Sequence, residues 1–147
     1  MTKKIDQRRL YRDLSWLWPL FSTPDEYAPS AMDFVRLIRK NSKIKAKNLL
    51  HLGCGGGLID AVFKKHFRVT GVDLSRKMLA QAKKLNPGVR YVPGDMRSVR
   101  LREKFDAVAI PDSLDYMTSE KDLKRALKTA APPPEQGVFP LFICRKV

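Results

Sequence analysis

The sequence predicts an α/β domain built on a parallel sheet with crossover helices, and three observations carry that prediction. From Asn48 onward, short apolar or β-branched runs alternate with stretches of helical periodicity, the pattern of strand-helix-strand units. A glycine cluster, Gly53-Cys54-Gly55-Gly56-Gly57, follows the first apolar run directly. Aspartates, Asp73 and Asp95, stand at or just past the ends of the next two runs.

Each element has its own signal. Ile5, Leu10, Leu14 and Leu17, spaced among charges, predict an amphipathic helix over 3–18 that Pro19 should stop. Ser22-Thr23-Pro24-Asp25 reads as a loop, and Met32, Val35, Leu37 and Ile38 predict a helix over 31–40. Lys43 to Lys47 is a basic connection into the first strand, Asn48 to Leu52. A helix is expected over 59–66 and a β-branched strand over 68–73. Ser75 is the cap residue for a helix over 76–85, which Asn86-Pro87-Gly88 ends. Strands follow at 89–92 and 105–110, then a helix over 119–131 closed by three prolines. A fifth strand is expected over 137–144, and Pro140 within it marks an edge or a distortion.

Bulk properties narrow the class. At 147 residues and 44% apolar, the chain suits one domain with a real core. No apolar run reaches the roughly 18 residues of a membrane span. The charged start, leading into Gln7, Arg8 and Arg9, does not read as a secretory signal. Cys54 and Cys144 have no metal-ligand spacing, so no metal is expected and reduced thiols in a cytoplasmic protein are the reading. The net charge of +14 permits a nucleic-acid partner. The cations, however, are spread along the chain without the interleaved aromatics of a stacking platform, which favours solvated faces.

In an open parallel sheet, ligands sit outside the carboxyl ends of the strands, where the three motifs fall. Glycines let the backbone turn tightly and approach a ligand with no Cβ in the way. Asp73, 20 residues past Gly53, is placed to accept both hydroxyls of a ribose. Asp95 is placed to accept from an exocyclic amine such as that of adenine, with Met96 against the ring. Each motif alone is a common turn or cap. In order at three strand ends, they point to an adenosine site. A dinucleotide fold wants Gly-x-Gly-x-x-Gly, but Leu58 occupies the last glycine position.

The spacing of the run Leu49 to Gly57, with Val72-Asp73-Leu74-Ser75, Met78-Leu79, Gly94-Asp95-Met96 and Phe105-Asp106-Ala107-Val108, resembles the class I S-adenosylmethionine-dependent methyltransferases. The resemblance covers roughly residues 27 to 144. It implies a three-layer Rossmann-like sandwich with a mainly parallel five-strand sheet, order 3-2-1-4-5, lacking the family's last two strands. It also implies an N-terminal helical lid segment over 1–24 and a cofactor-binding domain over 25–147. The cofactor would be S-adenosylmethionine, touched by Tyr11, His51, Gly53, Cys54, Gly55, Asp73, Leu74, Met78, Asp95, Met96 and Ile110. The glycine turn would wrap the methionine portion, Asp73 the ribose, and Leu74, Asp95 and Met96 the adenine; Ile110 and Pro111 would lead to the acceptor.

Two departures qualify the match. The family places Asp or Glu where His51 stands, and a protonated histidine there would repel the cofactor's positive groups, which predicts pH-dependent binding. The chain also stops at Val147, so strand five would leave an open edge and invite a homodimer. Asp112, Asp115 and Tyr116 are candidate bases, but none is singled out, and the catalytic residue is left unassigned. Trp16, Trp18 and Phe21 read as core in preference to a lid. The Asn/Asp-Pro-Pro-Tyr/Phe motif of nucleic-acid amino-methylating enzymes is absent after strand four, which points to a small-molecule acceptor. The alternative function is a non-catalytic S-adenosylmethionine-binding or partner subunit.

Overall fold

The computed structural model describes residue 9 and residues 12–131. Tyr11 and the expected fifth strand lie outside the described residues, as do the dimer edge and most of the expected first helix.

The N-terminal region departs from expectation in two places. Pro19 does not stop a helix; after a 3-10 turn at Ser15–Leu17 it lies in the first turn of α1 (Trp18–Phe21). Helix α2 (Pro24–Asn41) begins seven residues earlier than its apolar periodicity suggested. In both helices proline occupies a first-turn position, where its missing N–H would have had no partner anyway. Thr23 and Glu26 form a capping box, with the Glu26 carboxylate accepting from the Thr23 amide at 3.4 Å. What read as a loop is therefore a helix start.

From β1 (Asn48–Leu52) the chain alternates as expected through α3 (Asp60–Phe63), β2 (Arg68–Asp73), α4 (Arg76–Leu85), β3 (Arg90–Pro93), β4 (Ala107–Ala109) and α5 (Glu120–Ala130). The four described strands pair in the order β3-β2-β1-β4, all parallel. Ser75 and Ser119 cap α4 and α5 through bonds from Met78 and Asp122 amides. Asp106 secures the sheet's lower end: its carboxylate accepts from the Lys47 and Asn48 amides at 2.8 and 2.7 Å, holding the start of β4 beside the start of β1.

The strands are apolar on both faces because both are covered. Leu49, Val69, Ala107 and Ala109 pack with Phe34, Val35 and Ile38 of α2 and with Phe63 of α3. Leu50, Leu52, Val72, Val108 and Ile110 pack on the other face with Ala126 and Ala130 of α5. Leu79 and Ala82 of α4 meet Tyr91 and Cys54. Helices thus lie on both faces of the sheet, the three-layer arrangement. Trp16 and Phe21 are not core, being 64% and 67% exposed.

Candidate functional site at the strand ends

The strand order reverses at β1: the chain steps outward to β2 and β3, then crosses back to β4 on the other side. The crevice at such a reversal is where an open sheet accepts a ligand. The glycine turn leaves β1 at this point, and Gly53, Gly55 and Gly57 have φ of 72°, 53° and 77°, a region that side chains rarely enter. Gly53 and Cys54 both donate to the Val72 carbonyl, at 2.7 and 3.0 Å, so β2 grips the turn's first residues. Ser113, just past β4, donates to the Leu52 carbonyl at 3.1 Å and is so close that a Cβ on Gly53 would overlap its side chain. The turn therefore bridges the neighbours on either side of β1.

Asp73 ends β2 beside it. One carboxylate oxygen accepts from the Gly55 amide at 2.9 Å and the other from the Ser75 amide at 2.8 Å. Each oxygen keeps a second lone pair, so the carboxylate can still receive ribose hydroxyls. Leu74 follows it, an apolar side chain 68% exposed. Past β3, both oxygens of Asp95 are held by the Arg97 guanidinium, and Arg97 reaches on to Asp122 of α5 at 3.0 Å. These bonds from Arg97 hold the Asp95 carboxyl below the usual carboxylate range. Met96 and Ile110 are buried under the crevice in the α5-side core.

Three of the expected residues have their side chains beneath the turn. Met78 is fully buried, its methyl 3.6 Å from where a Gly55 Cβ would sit. Cys54 turns inward toward Gly71, and burial, with Asp60 and Asp73 nearby, raises its thiol pKa well above the ordinary value. His51, 2% exposed, faces away from the α5 side, and its Nδ1 lies 2.6 Å from Asp60. A charge on His51 would thus be met by a carboxylate that the sequence did not place beside it. Strand alternation explains the inward turn: Leu50 and Leu52 take one face, so Leu49 and His51 take the other.

The candidate bases Asp112, Asp115 and Tyr116 are all exposed. Sequence reasoning missed Ser113, Arg97, and the buried Asp60, Tyr91 and Asn86. It also missed that Trp18 of α1 lies against Gly56, with its ring carbon 3.4 Å from the position a Cβ would take. Gln81 of α4 donates to the Ser15 carbonyl, holding that segment over the turn. Ser113 and Trp18 carry no spacing signal, because only the folded chain brings them to the glycines. Among the described residues no cluster of metal-binding side chains occurs, and no helix is long and apolar enough to cross a membrane.

The donor set, a glycine turn with two strand-end carboxylates and an exposed apolar side chain, fits an adenosyl cofactor. Comparisons with known proteins agree. A family model described as a methyltransferase domain matches residues 49–132. A dTDP-3-amino-3,4,6-trideoxy-alpha-D-glucopyranose N,N-dimethyltransferase of Streptomyces venezuelae is 36% identical over 114 residues, covering 76% of this chain and 48% of the relative. A ubiquinone biosynthesis O-methyltransferase of Chromobacterium violaceum is 32% identical, covering 77% of this chain and 50% of the relative. The solved structure of an S-adenosylmethionine-bound amino pentose methyltransferase from Micromonospora echinaspora superposes with a TM-score of 0.68 at 28% identity, over 80% of this chain and 49% of that one. The chain spans about half the length of the curated relatives it matches.

Proposed function

The chain belongs to the methyltransferase-domain family, and on that premise we propose that its strand-end crevice binds S-adenosylmethionine and presents the methyl group to a small-molecule acceptor. S-adenosylmethionine is the cofactor of this family, and the Micromonospora relative holds it. One observation supports the site above the others. Asp73 is tied to the Gly55 amide at 2.9 Å, which sets the ribose-binding carboxylate and the glycine turn as one unit.

The backbone of Gly53 to Gly57 then receives the methionine portion, Asp73 the ribose hydroxyls and Leu74 the adenine face. Asp95 stands at the adenine end, and each of its oxygens already accepts two bonds from Arg97, so accepting from the adenine amine requires one of those contacts to give way. The described residues of the N-terminal segment serve as a lid over the turn, a reading that Trp18 against Gly56 supports. When bound, the cofactor would supply a sulfonium methyl for in-line transfer to an acceptor's lone pair, the acceptor–carbon bond forming as the carbon–sulfur bond breaks and S-adenosylhomocysteine leaves. The chain's own contribution is to hold both partners aligned and to keep water out. Relatives named for amino sugars and for ubiquinone precursors support an acceptor with an amine or a hydroxyl on a small molecule.

Calorimetric titration with S-adenosylhomocysteine tests the site. Saturable single-site binding is expected, with none for NAD. No heat at millimolar S-adenosylhomocysteine, or equal binding of NAD, would refute the assignment. Turnover of methyl-labelled cofactor against amino-sugar nucleotides and catechols tests the transfer step, and binding without any turnover would favour a non-catalytic subunit.

A further inference from the structure

Beneath the glycine turn, His51, Asp60, Tyr91 and Asn86 form a chain of polar side chains that cofactor chemistry does not use. All are buried, at 2%, 0%, 6% and 0% exposure. His51 of β1 and Asp60 of α3 meet at 2.6 Å, and the Tyr91 hydroxyl of β3 donates to the other Asp60 oxygen at 2.9 Å. Asn86, the residue that ends α4, donates to the Tyr91 oxygen at 3.1 Å and to the Gly57 carbonyl at 2.8 Å. Four elements of the fold are thereby joined at one carbonyl of the turn.

Burying a carboxylate, an imidazole, a phenol and an amide costs several kcal/mol in desolvation unless their bonds recover it. An apolar cluster would serve stability equally well, so the placement of these groups calls for a task of its own. The chain ends on Gly57, which is held at a φ of 77°. A backbone turn that binds a ligand through its amides works only if those amides are fixed before the ligand arrives.

We propose that His51, Asp60, Tyr91 and Asn86 are positioning residues for cofactor binding: they hold the Gly57 carbonyl, and through it the amides of Gly55 and Gly56, in the conformation that receives the cofactor. The proposal rests on the cofactor reading above. In this arrangement Asp60 is the carboxylate partner of His51, which stands where similar enzymes carry the acid. Loss of the Tyr91 hydroxyl cuts the chain in the middle and leaves the ring in place.

The test uses the full chain with S-adenosylhomocysteine, at a temperature where every variant is folded by circular dichroism. Tyr91→Phe is expected to weaken binding about tenfold, the effect of about 1.4 kcal/mol. It should also speed amide hydrogen exchange at Gly55 to Gly57 in the ligand-free protein. Val35→Ala, in the α2 core, is the control: it should lower the melting temperature and leave both readouts unchanged. Should Tyr91→Phe fail to fold, the pair His51→Asn and His51→Leu replaces it. Asparagine keeps a donor for Asp60 and should retain most of the affinity, whereas leucine should lose it. Wild-type binding with Tyr91→Phe, or with both His51 variants, equal to wild type overturns the positioning role alone. Absence of wild-type binding overturns the cofactor reading and the positioning role together.

Discussion

Replacing three glycines by alanine separates backbone strain from steric overlap in this fold. Gly88 has a φ of 94° and nothing within 4 Å of an added Cβ, so Gly88→Ala carries strain alone. Its cost is about 1 kcal/mol, the usual penalty for a side chain in the left-handed region. Gly71, in the middle of β2, has ordinary strand geometry, but its Cβ would stand 2.6 Å from the Tyr91 ring and 2.9 Å from the Cys54 sulfur. Gly71→Ala therefore carries overpacking alone, about 1–3 kcal/mol. Gly57 combines both effects: φ is 77°, and a Cβ would meet Asn86 Nδ2 and the Tyr91 oxygen at 2.7 Å. Those atoms are bonded to each other and to Asp60, so they cannot simply move aside. Gly57→Ala should cost about 2–4 kcal/mol, the sum of the two effects. At about 3 °C per kcal/mol for a chain of this size, the expected losses in melting temperature are about 3 °C for Gly88→Ala and about 6–12 °C for Gly57→Ala. Differential scanning calorimetry reads all three. A Gly57→Ala loss no larger than that of Gly88→Ala would show that the buried network yields freely, and would refute the claim that it braces the turn.

Other outcomes are open to direct measurement. The Cys54 thiol, its pKa raised chiefly by burial, should react with iodoacetamide at pH 8 at least about a hundredfold more slowly in the native than in the denatured chain, followed by peptide mass spectrometry. Asp95 has its folded pKa depressed by Arg97, so its ion pair stabilises the fold above the unfolded value of about 3.9 and is lost as pH falls through the folded value. The melting-temperature gap between wild type and Arg97→Gln should accordingly be widest near neutrality and close on the acid side; a gap unchanged at pH 3 would contradict the pairing. Because Trp18 lies against Gly56, cofactor binding should change its fluorescence. Trp16→Phe, which leaves Trp18 as the remaining tryptophan of two, should keep that change, and Trp18→Phe should abolish it.

Much of the fold was legible because its determinants are local. Periodicity and the Ser75 and Ser119 caps placed α4 and α5 within a residue, and β1 and β2 as read. Pro19 reads as a helix stop and Pro24 as part of a loop, whereas both stand in the first turn of a helix, Pro24 directly behind the Thr23 cap that Glu26 completes. Trp16 and Phe21 read as core because they are large and apolar, yet the folded chain leaves them 64% and 67% exposed.

The sequence by itself determined the parallel α/β class and the residues at the strand ends, Gly53 to Gly57, Asp73 and Asp95. Each of those signals depends only on a residue's type and its distance from the end of an apolar run. The tertiary structure alone decided what lies under the turn and over it. His51, Asp60, Asn86 and Tyr91 are spread over four elements, and Ser113 and Trp18 stand far from the glycines in the chain. Their contacts arise from sheet order and helix packing, which bring distant segments together without leaving a mark on local spacing.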